Sequence, residues 1–230
     1  MTFPREIRAV VFDMDGLLVD TETGFRDVFF AVAAERGHDV PMWLFQQLIG
    51  VPNVSALDAL RAHYGPEFDA QSMFDACWVR FHENLDVGTI LKAGVIELLD
   101  HLDALRIPRA IATSSPREAV TRYLGPGGME NRFHAIVTKG DYDRPKPAPD
   151  PFLTAAARLG IDPTDCLALE DSHNGVRAAH AAGMMTVMVP DLLDPTEEMH
   201  DKCLHVAETL HHVLDLMRAG PAGRYPTTIG

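Results

Sequence analysis

Apolar residues along the chain fall into two kinds of run. Six are short and largely unbroken: Ile7–Phe12, Arg109–Thr113, His134–Thr138, Cys166–Leu169, Met184–Val189 and a weaker one at Cys203–Val206. They do not alternate apolar with polar positions, which marks strands covered on both faces of a parallel sheet. Between them apolar residues recur at i, i+3, i+4 and i+7, as at Val95, Leu98, Leu99 and Leu102 and again at Leu210, Val213, Leu214 and Met217. That spacing draws one face of a helix. Strand alternating with helix predicts an α/β fold, a Rossmann-like, doubly wound parallel sheet.

One stretch breaks the rhythm. Between the first strand and the helix that starts near Gly94 lie about 70 residues with helical stripes and no convincing strand. Phe25, Val28, Phe29 and Val32 form one stripe, and Phe74, Cys77, Trp78 and Phe81 another; residues 41–49 and 53–63 supply two more candidate helices. An insert of this kind can bury a core of its own. The expected partition is therefore an α/β core over 1–20 and 89–218, an inserted all-helical cap over 21–88, and a flexible tail rich in Gly, Pro and Thr over 219–230. The connections Asp20–Thr23 and Asn84–Thr89 would act as a paired hinge.

Composition narrows the partners. The 230 residues carry 20 basic and 33 acidic side chains, a net charge of −13 with histidine neutral, and no block rich in Lys or Arg. This excludes a nucleic-acid polymer or an anionic membrane surface as the expected partner. No segment approaches the roughly 18 apolar residues of a membrane span, and the first residues hold no signal-peptide core. The three cysteines, Cys77, Cys166 and Cys203, are odd in number and far apart, as small buried residues of a reducing compartment would be. The expectation is a cytoplasmic protein, monomeric or weakly dimeric, that acts on a small molecule.

In a parallel sheet all strands end at one edge, and ligands bind there. At that edge the sequence sets Asp13-Met14-Asp15-Gly16, then Thr113-Ser114-Ser115, then a loop leading to Lys146, then Glu170-Asp171. Asp13 and Asp15 are two apart and point the same way while the chain stays extended, and Gly16 lets the backbone turn sharply. Four carboxylates at one edge repel one another unless a cation sits among them, and hard oxygen ligands favour Mg²⁺. Taken singly, Asp-x-Asp-Gly is equally well a turn, Glu170-Asp171 a helix cap and Lys146 a surface lysine. The convergence of all four segments points to a phosphate-handling site.

These segments, spelled Phe12-Asp13-Met14-Asp15-Gly16-Leu17-Leu18-Val19-Asp20-Thr21-Glu22, Ala112-Thr113-Ser114-Ser115, Lys146-Pro147-Ala148-Pro149-Asp150-Pro151-Phe152 and Leu169-Glu170-Asp171-Ser172 with Gly175, resemble the four ordered motifs of the haloacid dehalogenase superfamily. The spelling is similar to that of its β-phosphoglucomutase-like phosphatases, which carry a helical cap after the first motif. The resemblance implies a phosphatase in which Asp13 is the nucleophile and Asp15 the general acid and base. It implies Mg²⁺ held by Asp13, the Asp15 main-chain carbonyl and Asp171, with Glu170 close by, and phosphate bound by Thr113, Ser114 and Lys146. A cap that closes over the phosphate is expected with it. The acid at Asp15 disfavours dehalogenase and phosphonate-hydrolase chemistry. A sugar-phosphate mutase is the alternative, but the mutase-like pattern has a histidine and an arginine where this chain has Phe25 and Asn53.

Other tempting features have simpler readings. Asp171-Ser172-His173 contains the letters of a catalytic triad, but consecutive side chains diverge, so Ser172 and His173 are expected to open a helix or line a rim. Gly125-Pro126-Gly127-Gly128 lacks the Lys-Ser/Thr of a P-loop. Arg117 and Arg144 lie near the predicted phosphate end but read first as solvated surface residues. Met184, Met185 and Met188 read as core filling.

Overall fold

The computed structural model describes residues 3–49, 51, 53–84 and 91–219. The chain divides into two compact units, one of Met1–Val19 with Val87–Gly230 and the other of Asp20–Asp86. The tail expected over 219–230 lies outside the described residues except for Ala219, as does the second expected connection beyond Asn84.

The first unit contains a six-stranded, wholly parallel sheet: β1 Ala9–Phe12, β2 Arg109–Ala112, β3 Ala135–Val137, β4 Cys166–Glu170, β5 Met185–Met188 and β6 His205–Val206. Its order is β3-β2-β1-β4-β5-β6. The strands are one or two residues shorter than the apolar runs at most ends; Ile7, Thr113, Met184 and Val189 stay buried beyond the pairing, whereas Arg8, His134 and Leu204 are exposed. β4 is the exception. It extends to Glu170, which lies opposite Met188 and accepts a 2.7 Å hydrogen bond from Val189 N–H.

One face of the sheet is lined by small residues, Ala9, Val11, Ala110, Ala112, Val137 and Ala168, which cluster with Phe152, Ala155 and Ala156 of α7 (Asp150–Leu159) and Ala178 and Ala179 of α8 (His173–Ala181). Alanine against alanine lets these helices seat closely on the strands. Side chains alternate along a strand, so Val10, Phe12, Ile111, Leu167 and Leu169 turn to the other face, where they too are buried. The α5 helix (Val95–Ala104) packs with α10 (Leu210–Arg218), and the eight apolar residues whose spacing predicted these two helices are all buried. The unit also holds α6 (Arg117–Leu124) and α9 (Glu197–Lys202), and a short 3₁₀ segment at Pro126–Arg132, where Gly127 and Gly128 both take positive φ.

The second unit is helical, with no strand among its described residues: α1 Thr21–Glu35, α2 Met42–Gln46, α3 Asn53–Tyr64 and α4 Ala70–Asn84. Here α1 packs on α4 and α3 on α4. Phe29 and Val32 of the first predicted stripe and Phe74, Cys77 and Phe81 of the second are buried. The 41–49 helix is cut to five residues because its last turn tightens to i→i+3 hydrogen bonds, Gln47 N–H to Leu44 and Leu48 N–H to Phe45. The connection expected at Asp20–Thr23 is not a loop: α1 begins at Thr21.

Candidate active site

Strand order reverses direction around β1, whose neighbours are β2 on one side and β4 on the other. Such a reversal opens a crevice at the carboxyl ends of the strands, and the predicted residues stand there. Phe12 pairs with Leu169, so Asp13 comes abreast of Glu170, and Asp13 N–H donates 3.0 Å to the Leu169 carbonyl. On the other side Thr113 follows β2 directly, its N–H bonded to Val137 at 3.0 Å.

After Asp13 the chain folds back at once. The Met14 carbonyl accepts from Leu18 and Val19 N–H at 2.9 and 3.1 Å, and Gly16 N–H closes on Val19 at 2.9 Å. Gly16 has φ of +79°, and a Cβ on it would come 2.3 Å from Asp171 Oδ2, so both the turn and the neighbouring carboxylate require glycine. The turn separates the two aspartates expected to point together. Asp13 joins Glu170 and Asp171, all three buried with one carboxylate oxygen each within 4.8 Å of the others. Asp15 instead accepts from Ser115 Oγ at 2.7 Å and Thr113 Oγ1 at 3.4 Å.

Lys146 reaches the trio from the loop between β3 and α7. Its Nζ donates to Asp13 Oδ1 and, at 2.6 Å, to Glu170 Oε1, and it lies 5.0 Å from the centre of the Phe152 ring. Asp141 shapes the start of this loop by accepting from Thr138 N–H and Oγ1 and pairing with Arg158. The other Glu170 oxygen, Oε2, accepts from Ser172 N–H and Oγ, both at 3.0 Å. Ser172 is the N-cap of α8, accepting from Gly175 N–H at 3.1 Å. A Cβ at Gly175 would fall 1.7 Å from Glu170 Oε1, so the space that holds this carboxylate exists only because residue 175 has no side chain.

Burial pushes the Asp13 carboxyl up, to about 8, against the pull of Lys146 and with the help of the negative charges of Glu170 and Asp15. Burial also works to discharge Lys146, but Asp13 and Glu170 together outweigh it and hold the ammonium more firmly charged than usual. Ionised together, the three buried carboxylates would outnumber the one ammonium where water cannot screen them, an arrangement that costs free energy unless a cation joins it. The donors are all hard oxygens, so Asp13 and Asp171, with Glu170 adjoining, could hold a small divalent cation.

Of the other predicted residues, Thr113 is buried beside Asp15, whereas Ser114 is exposed. The Tyr142 hydroxyl donates to the Thr113 carbonyl at 3.2 Å. Arg117 and Arg144 are exposed and paired at the surface with Glu130 and Asp150. Ser115 was not among the expected site residues. Its Ser115 N–H bond to Thr113 Oγ1, 2.9 Å, bends the chain so that its hydroxyl, and not that of Ser114, meets Asp15.

The haloacid dehalogenase-like hydrolase family model matches residues 10–189. A protein of Drosophila melanogaster named a probable pseudouridine-5′-phosphatase is 33% identical over 224 residues, 92% of this chain and 92% of its own. Hexitol phosphatase B of Escherichia coli is 30% identical over 194 residues, covering 83% and 86% respectively. Among solved structures, a HAD family hydrolase from Deinococcus radiodurans with bound phosphate and sodium is 27% identical, covers 97% of this chain and 99% of its own, and superposes with a TM-score of 0.75.

Proposed function

The chain belongs to the haloacid dehalogenase-like hydrolases and is a phosphoric monoester hydrolase, and from that premise we propose that it is a Mg²⁺-dependent phosphatase of a small phosphorylated metabolite, working through an aspartyl-phosphate on Asp13. The observation that carries this reading is the buried trio of Asp13, Glu170 and Asp171, with Lys146 bridging the first two.

An Asp13 carboxylate oxygen attacks phosphorus, and the bond to the leaving alkoxide breaks as the aspartyl-phosphate forms. Asp15, held toward Thr113 and Ser115, gives the alkoxide its proton. Water then attacks phosphorus, Asp15 takes a proton from it, and inorganic phosphate leaves with Asp13 restored. Lys146, the Thr113 hydroxyl and the Ser114 N–H hold the phosphoryl oxygens. A fixed ammonium is most useful here, because it stands where negative charge grows in the transition state. Asp13, Asp171 and the Asp15 main-chain carbonyl would hold Mg²⁺, with Glu170 beside them. When bound, the ion supplies positive charge against the repulsion between an anionic nucleophile and an anionic substrate.

Phe25 favours this reading over a mutase. It packs among Phe29, Phe74, Trp78 and Phe81 inside the helical unit and brings no acid or base to that position. The names of the relatives direct the substrate search to phosphorylated sugars, hexitols and nucleosides. The test is phosphate release from a panel of these esters, before and after chelation and after return of Mg²⁺. Release that depends on Mg²⁺ is expected. Release that chelation leaves untouched, or interconversion of glucose phosphates without net phosphate release in phosphorus NMR, overturns it.

A further inference from the structure

Beyond Asp15 and the trio stands a further carboxylate that nothing above uses. Asp191 follows β5, and one of its oxygens, Oδ1, accepts a 2.7 Å bond from Lys92 Nζ. The other, Oδ2, is buried and has no hydrogen-bond partner among the described residues. The side chain is only 9% exposed, so this oxygen does not obtain its partner from bulk solvent. A buried carboxylate oxygen left in that state costs free energy unless a donor reaches it.

The direction in which Oδ2 points is given by Gly16. A Cβ there would come 2.3 Å from Asp171 Oδ2 and 3.5 Å from Asp191 Oδ2, so the two carboxylates flank the same bare Cα. Both oxygens approach that one Cα, which brings them within reach of a single bridging water. Lys92 is itself anchored, its N–H bonded to Leu18 at 3.0 Å next to the Val19–Leu91 bridge. Asp191 is thus held with one oxygen neutralised and the other on the side of Gly16 where Asp171 of the trio lies.

We propose that Asp191 is a positioning residue of the cation site: its free oxygen accepts a hydrogen bond from the hydration shell of the ion that Asp171 ligates, and Lys92 fixes its orientation. This rests on the Mg²⁺ reading above. Mg²⁺ keeps several of its waters when bound, so a site for it needs acceptors one layer out as well as direct ligands. Groups in that layer commonly change metal affinity by about 10–100-fold.

The test measures Mg²⁺ binding by calorimetry to the full, metal-stripped chain without substrate, comparing wild type with Asp191→Asn and Lys92→Met. Asp191→Asn is expected to weaken Mg²⁺ about tenfold, whereas Lys92→Met, which keeps the carboxylate, loses less. Thermal melting in chelator reports the ion pair separately and should fall in both variants. Equal Mg²⁺ affinity in wild type and Asp191→Asn, or an equal loss in the two variants, makes the pair a structural staple and overturns the assignment. A wild-type chain that binds no Mg²⁺ overturns the Mg²⁺ reading together with it.

Discussion

The two units solve opposite problems. The helical unit fills its interior with aromatic rings: Phe25, Phe29, Phe45, Phe74 and Phe81 touch one another at centroid distances between 5.6 and 6.1 Å. Among its described residues it buries no charged side chain, and its ion pairs Arg26–Asp27, Arg61–Asp58 and Arg80–Glu35 lie at the surface. The α/β unit does the reverse. It packs alanine against alanine and then buries Asp13, Lys146, Glu170 and Asp171 together at one sheet edge. A chain that tolerates such a cluster needs a rigid frame around it, and pleated strands with close-seated helices provide one. The contrast assigns stability by packing to one unit, and chemistry under electrostatic stress to the other.

The hardest test of that contrast removes the proposed nucleophile. Asp13→Asn should lower phosphate release from p-nitrophenyl phosphate by roughly 10³-fold or more, as loss of a covalent nucleophile does. The same substitution should alter pH dependence without metal. Because burial raises the Asp13 pKa in the folded chain to about 8 from 3.8, the folded state binds this proton more tightly than the unfolded one. Its contribution to stability is full below about pH 4 and is lost as pH rises through about 8. Denaturation in chelator across that window should show the decline in wild type and a flatter profile in Asp13→Asn. A wild-type profile that rises over the same window would contradict the buried-carboxylate picture.

Lys146→Met should come next in size. It leaves Asp13 and Glu170 facing each other without their shared cation, and breaking a buried pair in this way costs about 3–5 kcal/mol. Added Mg²⁺ should recover part of the loss in stability but not the proposed phosphate-binding role. The counterpart in the helical unit is Phe29→Ala. Phe29 is fully buried among Phe25, Phe45 and Phe74, and the cavity should cost about 3 kcal/mol. Mg²⁺ affinity, measured by titration, should stay within about twofold of wild type. A Phe29→Ala variant that lost its metal affinity would show that the two units do not divide their tasks as described.

Legibility in the sequence followed the same division. Asp13, Thr113, Glu170 and Asp171 could be located because apolar runs mark strands, and a parallel sheet brings strand ends to one edge whatever the loops do. Lys146 depended on a loop of irregular shape, and its place in the set of converging segments set it apart from a surface lysine. Three-dimensional closure hid the rest. That Asp13 and Asp15 part company depends on the Met14 carbonyl accepting two hydrogen bonds within one turn. The need for Gly175 is seen only once Glu170 is in place, and Lys92 and Asp191 meet from 99 positions apart. The apolar runs overestimated strand lengths in part for a related reason, since Ile7, Thr113, Met184 and Val189 stay buried after backbone pairing ends.

Ser115 offers the finest probe of the charged edge. Its hydroxyl is 2.7 Å from Asp15 Oδ2, and Thr113 Oγ1 is 3.4 Å from the same atom, so the two hydroxyls share one carboxylate unequally. A hydrogen bond to a charged group contributes about 1.5–3 kcal/mol, and removing it acts here on orientation, because Asp15 is only half-buried and can gain a water instead. Ser115→Ala should therefore reduce kcat about tenfold while KM and Mg²⁺ affinity change little. Ser114→Ala, which leaves the Ser114 N–H and the Asp15 contacts intact, should change kcat less than twofold. If the two serines exchanged these effects, the orientation of the turn after β2 would be wrong. If neither mattered, Asp15 would be held by the Met14–Val19 turn alone, and the charged edge would be more rigid than its hydrogen bonds indicate.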